Sequence, residues 1–171
     1  MAPDSPAAAL RAVRDRHAHG APRPLGGYAA LLAGYSGMLG GMVVAGRRLG
    51  RPLPERPPAA DLALLTVATY RLSRLVTKDS VTAVLRAPLT RYEEPAGEGE
   101  VNESVTAPGA GHALGELVTC PFCVSVWLAS VLSFGLVVAP KPTRLAAGTL
   151  SAVTGSDFLQ LAFAAARSRA G

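Results

Sequence analysis

Leu117-Val-Thr-Cys-Pro-Phe-Cys-Val-Ser-Val-Trp-Leu-Ala-Ser-Val-Leu-Ser-Phe-Gly-Leu-Val-Val-Ala139 runs for 23 residues without a formal charge and is closed by Pro140, Lys141 and Pro142. At about 1.5 Å per residue, a helix of that length covers a hydrocarbon core of roughly 30 Å. Residues 145 to 166 form a second apolar stretch, interrupted by Asp157 and ended by Arg167 and Arg169. The short turn from Pro140 to Arg144 predicts that the two helices pack as an antiparallel hairpin. Far upstream, residues 25 to 46 are 22 positions free of charge, followed at once by Arg47, Arg48 and Arg51. The expected fold is therefore all-α, a multi-pass transmembrane helical bundle with three full spans.

A fourth helix is expected over residues 59 to 78, and it is short. The stretch from Leu62 to Tyr70 is too brief to span; if Arg71 and Arg74 snorkel to the headgroups, Val76 becomes its effective end. A short tilted span, a re-entrant helix and an interfacial helix stay open. Residues 80 to 92 alternate apolar positions with Arg86 and Arg91 around Pro88 and read as a membrane-surface segment. Residues 93 to 110 read as an acidic loop, because Glu93, Glu94, Glu98, Glu100 and Glu103 occur among Gly and Pro with no basic residue before Ser104. Residues 1 to 24 form a polar basic segment without the apolar stretch of a signal peptide; a short surface helix over 5 to 17 ends at Ala21-Pro22-Arg23-Pro24. Residues 47 to 58 are a Pro/Arg linker.

Composition agrees with a bilayer. Hydrophobic residues make up 49% of the chain and mean hydropathy is +0.27, with few aromatics, so the apolar content is mostly Ala, Leu, Val and Gly. Such a mixture lets membrane helices approach closely. Gly37 and Gly41 stand at GxxxG spacing with Ala33 one turn earlier, which offers a smooth packing face, although Gly is common in membrane helices generally. The net charge of +5 comes from 17 Lys and Arg against 12 Asp and Glu. Because the basic residues flank apolar runs and no aromatics are interleaved with them, they read as topology signals, and no nucleic-acid partner is expected.

Counting Lys and Arg leaves two topologies equal. With all four segments crossing and the N-terminus inside, eleven of the 17 are cytoplasmic; with the second segment not crossing and the N-terminus outside, the number is the same. Both place residues 71 to 116, the start of the Cys-containing helix and the C-terminus in the cytoplasm. Cys120 and Cys123 then face a reducing compartment, where a permanent disulfide is not expected.

Three groups of residues could carry chemistry. Pro121 suits the first turn of a helix starting there, which puts Cys120 near its cap, where unpaired N–H groups favour a thiolate, and brings both sulfurs to one face with Trp127 on the same stripe. One C-x-x-C supplies two ligands where structural zinc wants four; His112 and Glu116 could complete a site, two copies could share one ion, or the pair could be inert and apolar. Asp157 stands near the middle of the last span, where an ionised carboxylate is expensive and usually paired or functional. Arg71 or Arg74 are its candidate partners in a structural ion pair, and a proton or ion relay is the alternative. Ser156 beside Asp157, with His112 elsewhere, lacks the strand-turn-helix context of a serine hydrolase, and there is neither a P-loop nor a dinucleotide fingerprint.

Four segments in order, Ala68-Thr-Tyr-Arg-Leu-Ser-Arg-Leu75, Leu85-Arg-Ala-Pro-Leu-Thr-Arg-Tyr-Glu93, Gly115-Glu-Leu-Val-Thr-Cys-Pro-Phe-Cys-Val-Ser-Val-Trp127 and Gly155-Ser-Asp-Phe158, resemble the bacterial membrane-protein family of unknown function DUF1360, in an actinobacterial-looking version. The resemblance covers roughly residues 60 to 166. It implies an integral membrane protein sharing an R-L-x-R-L segment, an R-x-P segment and a C-x-x-C before a Trp, without an established activity, substrate or cofactor; the span over 25 to 46 looks like an addition. Relatives in spore-forming bacteria suggest, by association, a sporulation or envelope role. The resemblance directs attention to Arg71, Arg74, Cys120, Cys123 and Trp127.

The sequence thus points to a structural or assembly component of the bacterial cytoplasmic membrane, partnered by the lipid bilayer and by copies of itself or other membrane proteins, and more a non-enzyme than an enzyme. A membrane thiol-redox or metal-binding protein using Cys120 and Cys123, with zinc as the one conceivable cofactor, is the alternative. A small transporter or ion-conducting oligomer using Asp157 is the third.

Overall fold

The computed structural model describes residues 5–18, 23–52, 54 and 56–170. The expected stop at Ala21-Pro22 and linker positions 53 and 55 lie outside the described residues. The rest is mostly helical: α1 (Pro6–Ala18), α2 (Leu25–Arg48), α3 (Ala59–Thr77), the single turn α4 (Ala83–Arg86), α5 (Ala110–Thr119), α6 (Pro121–Val138) and α7 (Pro140–Ala170), with strands β1 (Thr90–Gly97) and β2 (Glu100–Val105) between α4 and α5.

Helix α2 ends where Arg47 and Arg48 leave the apolar run, and Gly50 (φ 61°) takes the left-handed conformation that reverses the chain. Among the described residues two helices, α2 and α6, are long and apolar enough to cross a bilayer by length and composition. The third full span expected from the sequence, over residues 145 to 166, is not one of these two. Helix α7 is continuous over 31 residues, but polar positions such as Thr149, Ser151, Ser156, Asp157 and Gln160 keep it below the hydropathy that α2 and α6 reach. The span beginning at Leu117 is also divided. Cys120 is extended (φ −106°, ψ 107°), so residues 117 to 119 complete α5 and the apolar helix starts at Pro121.

Side-chain contacts fix the helix directions. Asp61 meets Arg144, Ser151 Oγ donates to the Leu64 carbonyl and Arg71 meets Asp157, so α3 and α7 run the same way. A Cβ on Gly34 would meet Trp127, Tyr35 Oη bonds Ser130 Oγ, and a Cβ on Gly46 would meet Phe134, so α2 and α6 also run together. Helices α6 and α7 are joined through Ala139 alone and turn back on each other, Gly135 lying against Thr143. The small core sits where α3, α6 and α7 meet: Leu65, Ala68 and Ala147 are buried, with Leu64, Leu132, Leu136 and Leu150 packed around them.

Where the sequence read a solvated acidic loop, the chain forms an antiparallel hairpin, pairing Thr90 with Val105, Tyr92 with Glu103 and Gly97 with Glu100, with register shifts at Tyr92/Glu94 and Pro95/Gly97. Gly97 (φ 148°) and Gly99 (φ 74°) make its turn. The Val101 N–H donates to the Lys78 carbonyl at 2.8 Å and the Ser80 N–H to the Gly99 carbonyl at 2.9 Å, stitching the hairpin to the end of α3.

Gly37 and Gly41, the packing candidates, meet no neighbour of this chain. Added Cβ atoms there would meet nothing within 4 Å, so their face is not used for packing within the chain. The close approach is at Gly27, where a Cβ would come to 2.7 Å of the Ala113 Cβ and 3.3 Å of the Ala110 backbone. Spacing alone could not tell which glycine face meets a neighbour. Gly27→Leu is therefore expected to separate α2 from α5 and lower stability by about 1–3 kcal/mol, as overpacking does, with Gly37→Leu as the silent control; chemical denaturation of the detergent-solubilised chain checks both.

Candidate functional site

Arg71 and Arg74 sit three residues apart, and so on one face of α3. The structure sends them to different partners. Arg71 Nη1 lies 3.2 Å from Asp157 Oδ2 of α7. Arg74 donates through Nε to Glu100 Oε1 (2.8 Å) and through Nη2 to Glu100 Oε2, a fork that ties α3 to β2, and its guanidinium carbon lies 5.9 Å from the Tyr70 ring centroid. Of the two partners offered for Asp157 by the sequence, Arg71 is the one in reach. Both pairs border a cleft of about 550 Å³ between α3, α7 and the hairpin turn, whose wall includes Tyr70, Glu98, Phe158 and Leu161.

Below the hairpin lies a node that sequence reasoning did not single out. Arg86 is 1% exposed. It donates Nε to Glu103, Nη1 to the Val76 carbonyl (2.8 Å) and Thr82 Oγ1 (2.8 Å), and Nη2 to the Asp79 carbonyl (3.0 Å). The guanidinium thus caps the end of α3 and neutralises the hairpin's carboxylate at once. The signal available was the R-x-P segment, Arg86-Ala87-Pro88, quoted for the resemblance but read as a surface stretch. Farther out on the hairpin, the Ser104 hydroxyl and Arg91 bond Glu93 and hold its carboxyl below the usual carboxylate range.

At the other end of α3, Arg144 forks onto Asp61 with bonds of 2.8 and 2.7 Å. No local signal in the sequence marks Asp61 and Arg144 as a pair.

The cysteines are at the start of α6, with Pro121 following in the first turn. Cys120 is the N-cap: its Sγ accepts from the Cys123 N–H at 3.3 Å, and the two sulfurs are 2.7 Å apart. Trp127, one turn after Cys123 on α6, packs edge to face on Tyr35, the ring centroids 5.1 Å apart. Glu116, offered as a metal ligand, is taken by the Tyr28 hydroxyl, by Arg23 at 3.4 Å and by His112 at 3.5 Å. Among the described residues no three His, Cys, Asp or Glu side chains are gathered as a ligand set. Cys120, Cys123, His112 and Glu116 are neighbours along the chain without forming one.

The model of the protein family of unknown function DUF1360 matches residues 64–163, which hold the Arg71 and Arg74 face, the Arg86 node, the hairpin, the cysteine cap and Asp157. The chain belongs to the DUF1360 family. Two relatives from Bacillus subtilis (strain 168) agree. The sporulation protein YjcA is 32% identical over 86 residues, which are 48% of this chain and 73% of the relative. The UPF0713 protein YngL is 31% identical over 80 residues, 46% of this chain and 58% of the relative. No solved structure matches. Helix α2 lies outside the region matched to DUF1360, as the sequence reading expected of residues 25 to 46.

Proposed function

We propose that this DUF1360 member is a multi-pass structural or assembly component of the bacterial cytoplasmic membrane, with α2, α3, α6 and α7 as its four crossings and the hairpin as a cytoplasmic platform. One observation carries the reading: four ion pairs link elements to one another, α3 to α7 twice, α3 to β2, and α4 to β2, in the pairs Arg71–Asp157, Asp61–Arg144, Arg74–Glu100 and Arg86–Glu103. Side chains so engaged hold a shape. The large apolar side chains support lipid as the surroundings, since Leu32, Leu145, Leu159 and Phe163 all point outward with well over half of their surface bare.

The helix directions favour one of the two topologies that arginine counting leaves equal. If α2 and α6 cross together, α3 and α7 must cross the opposite way, so that the start of α2, the hairpin, the cysteine cap and the end of α7 share one face. At about 1.5 Å per residue the 19-residue α3 is about 28 Å long, close to a hydrocarbon core. The positive-inside rule makes that shared face cytoplasmic. One relative is named a sporulation protein, and a role in assembling an envelope structure fits that name.

Site-directed labelling tests the topology. In a background with both native cysteines replaced by Ala, Glu98→Cys and Ser168→Cys are expected to react with a membrane-impermeant maleimide only after the cells are opened, and Gly50→Cys in intact cells. Labelling of Glu98→Cys and Gly50→Cys from the same side would mean that α3 does not cross.

A further inference from the structure

The assembly reading leaves Cys120 and Cys123 without a task, and their arrangement is not that of two buried, inert thiols. Both are free, Cys123 is exposed and Cys120 is half-buried. Their sulfurs are already in contact at 2.7 Å. The Cys120 sulfur also receives the Cys123 N–H, at 3.3 Å, at the first turn of an 18-residue helix. Between them Phe122 stands 85% exposed, an aromatic side chain with nothing of this chain over it. Sulfur contact, unequal access and a backbone donor on the sulfur that would leave are the geometry that thiol–disulfide exchange uses.

We propose that Cys120 and Cys123 are a disulfide-exchange site whose substrate is a dithiol on another polypeptide at the membrane surface, met through Phe122. When the pair is oxidised, a substrate thiolate attacks Cys123 Sγ, the accessible sulfur. The bond between the two cysteine sulfurs breaks, and its electron pair leaves on Cys120 Sγ, held there by the N-terminus of α6. The substrate's second thiolate then attacks the substrate sulfur of the mixed disulfide, and Cys123 departs with the electron pair. The substrate has lost two electrons and two protons and gained an internal disulfide; the cysteine pair has gained both electrons and, once protonated, both protons. Run backwards, the same steps reduce a substrate disulfide at the expense of the dithiol. Only the accessibility of the α6 cap is needed, so the inference does not depend on which face is cytoplasmic.

The test uses the full chain in detergent micelles, equilibrated in mixtures of reduced and oxidised glutathione, quenched with acid, alkylated and weighed intact. In the oxidised mixtures the unsubstituted chain is expected to lose both alkylation sites together, with its mass lower by two hydrogen atoms and no glutathione retained. Cys120→Ser is expected to keep one glutathione on Cys123, because the resolving sulfur is gone. Two free thiols persisting in oxidised glutathione, a glutathione adduct on the unsubstituted chain that never closes, or disulfides formed only between chains would each overturn the proposal. The measurement on the unsubstituted chain decides the matter even where Cys120→Ser folds poorly.

Discussion

Arg86→Met is expected to destabilise the detergent-solubilised protein by about 3–5 kcal/mol, the usual cost of leaving one member of a buried ion pair without its partner. The Arg86 and Glu103 side chains are only 2% and 5% exposed. Without the guanidinium, Glu103 must be protonated or hydrated beneath the hairpin, and the Val76 and Asp79 carbonyls at the end of α3 lose their donors. Glu103→Gln should cost less, since an amide removes the charge yet can still meet the arginine. Arg86→Met combined with Glu103→Leu should recover part of the loss but not all of it, because the carbonyls stay unpaired. Arg86→Lys should behave more like Met than like Arg, as an ammonium cannot present donors along several fixed directions to a carboxylate, a hydroxyl and two carbonyls. Chemical denaturation gives the global loss, and limited proteolysis should show the hairpin opening first. A loss below about 1 kcal/mol would mean that the pair is hydrated and carries little of the fold.

What the sequence made legible depended on whether the cause was local. Helices α2 and α6 could be read because the absence of charge over one bilayer thickness is a property of the stretch itself. Pro121 announced the start of α6 in the same way, and with it the position of Cys120 at the cap. The hairpin could not be read. Its strands are acidic, the first is interrupted by Pro95 and ends at Gly97, and they lack apolar alternation, so every local signal favours solvent. They form because Glu100 and Glu103 are answered by Arg74 and Arg86, more than a dozen residues upstream. Asp61–Arg144 was missed for the same reason, its members lying 83 residues apart. Asp157 was the exception. A carboxylate in an apolar helix demands a cation, and the choice had narrowed to Arg71 and Arg74; of these, Arg71 meets α7, and Arg74, one turn nearer the end of α3 where the hairpin attaches, meets β2.

Arg71→Leu is expected to reduce folded, detergent-extractable protein sharply, with a loss on the order of 2–3 kcal/mol, because in the proposed arrangement α7 crosses the bilayer and Asp157 is left there with no cation beside it. The Asp157 side chain is 43% exposed and borders the cleft. In the proposed bilayer arrangement lipid tails would offer that side chain no screening, while water entering the cleft would hold the loss below what a sealed site would show. Asp157→Asn together with Arg71→Leu should restore most of the yield. The exchange Arg71→Asp with Asp157→Arg separates a structural pair from an ion relay. A pair that fixes α3 against α7 is indifferent to which helix carries which sign, so the exchanged chain should again fold and be extracted as the unsubstituted one is. A relay needs the carboxylate at its own place on α7, and such a protein would fold with either single neutralisation while its conductance was lost. Normal folding of Arg71→Leu alone would therefore remove the ion pair from the account of how α3 and α7 are held together.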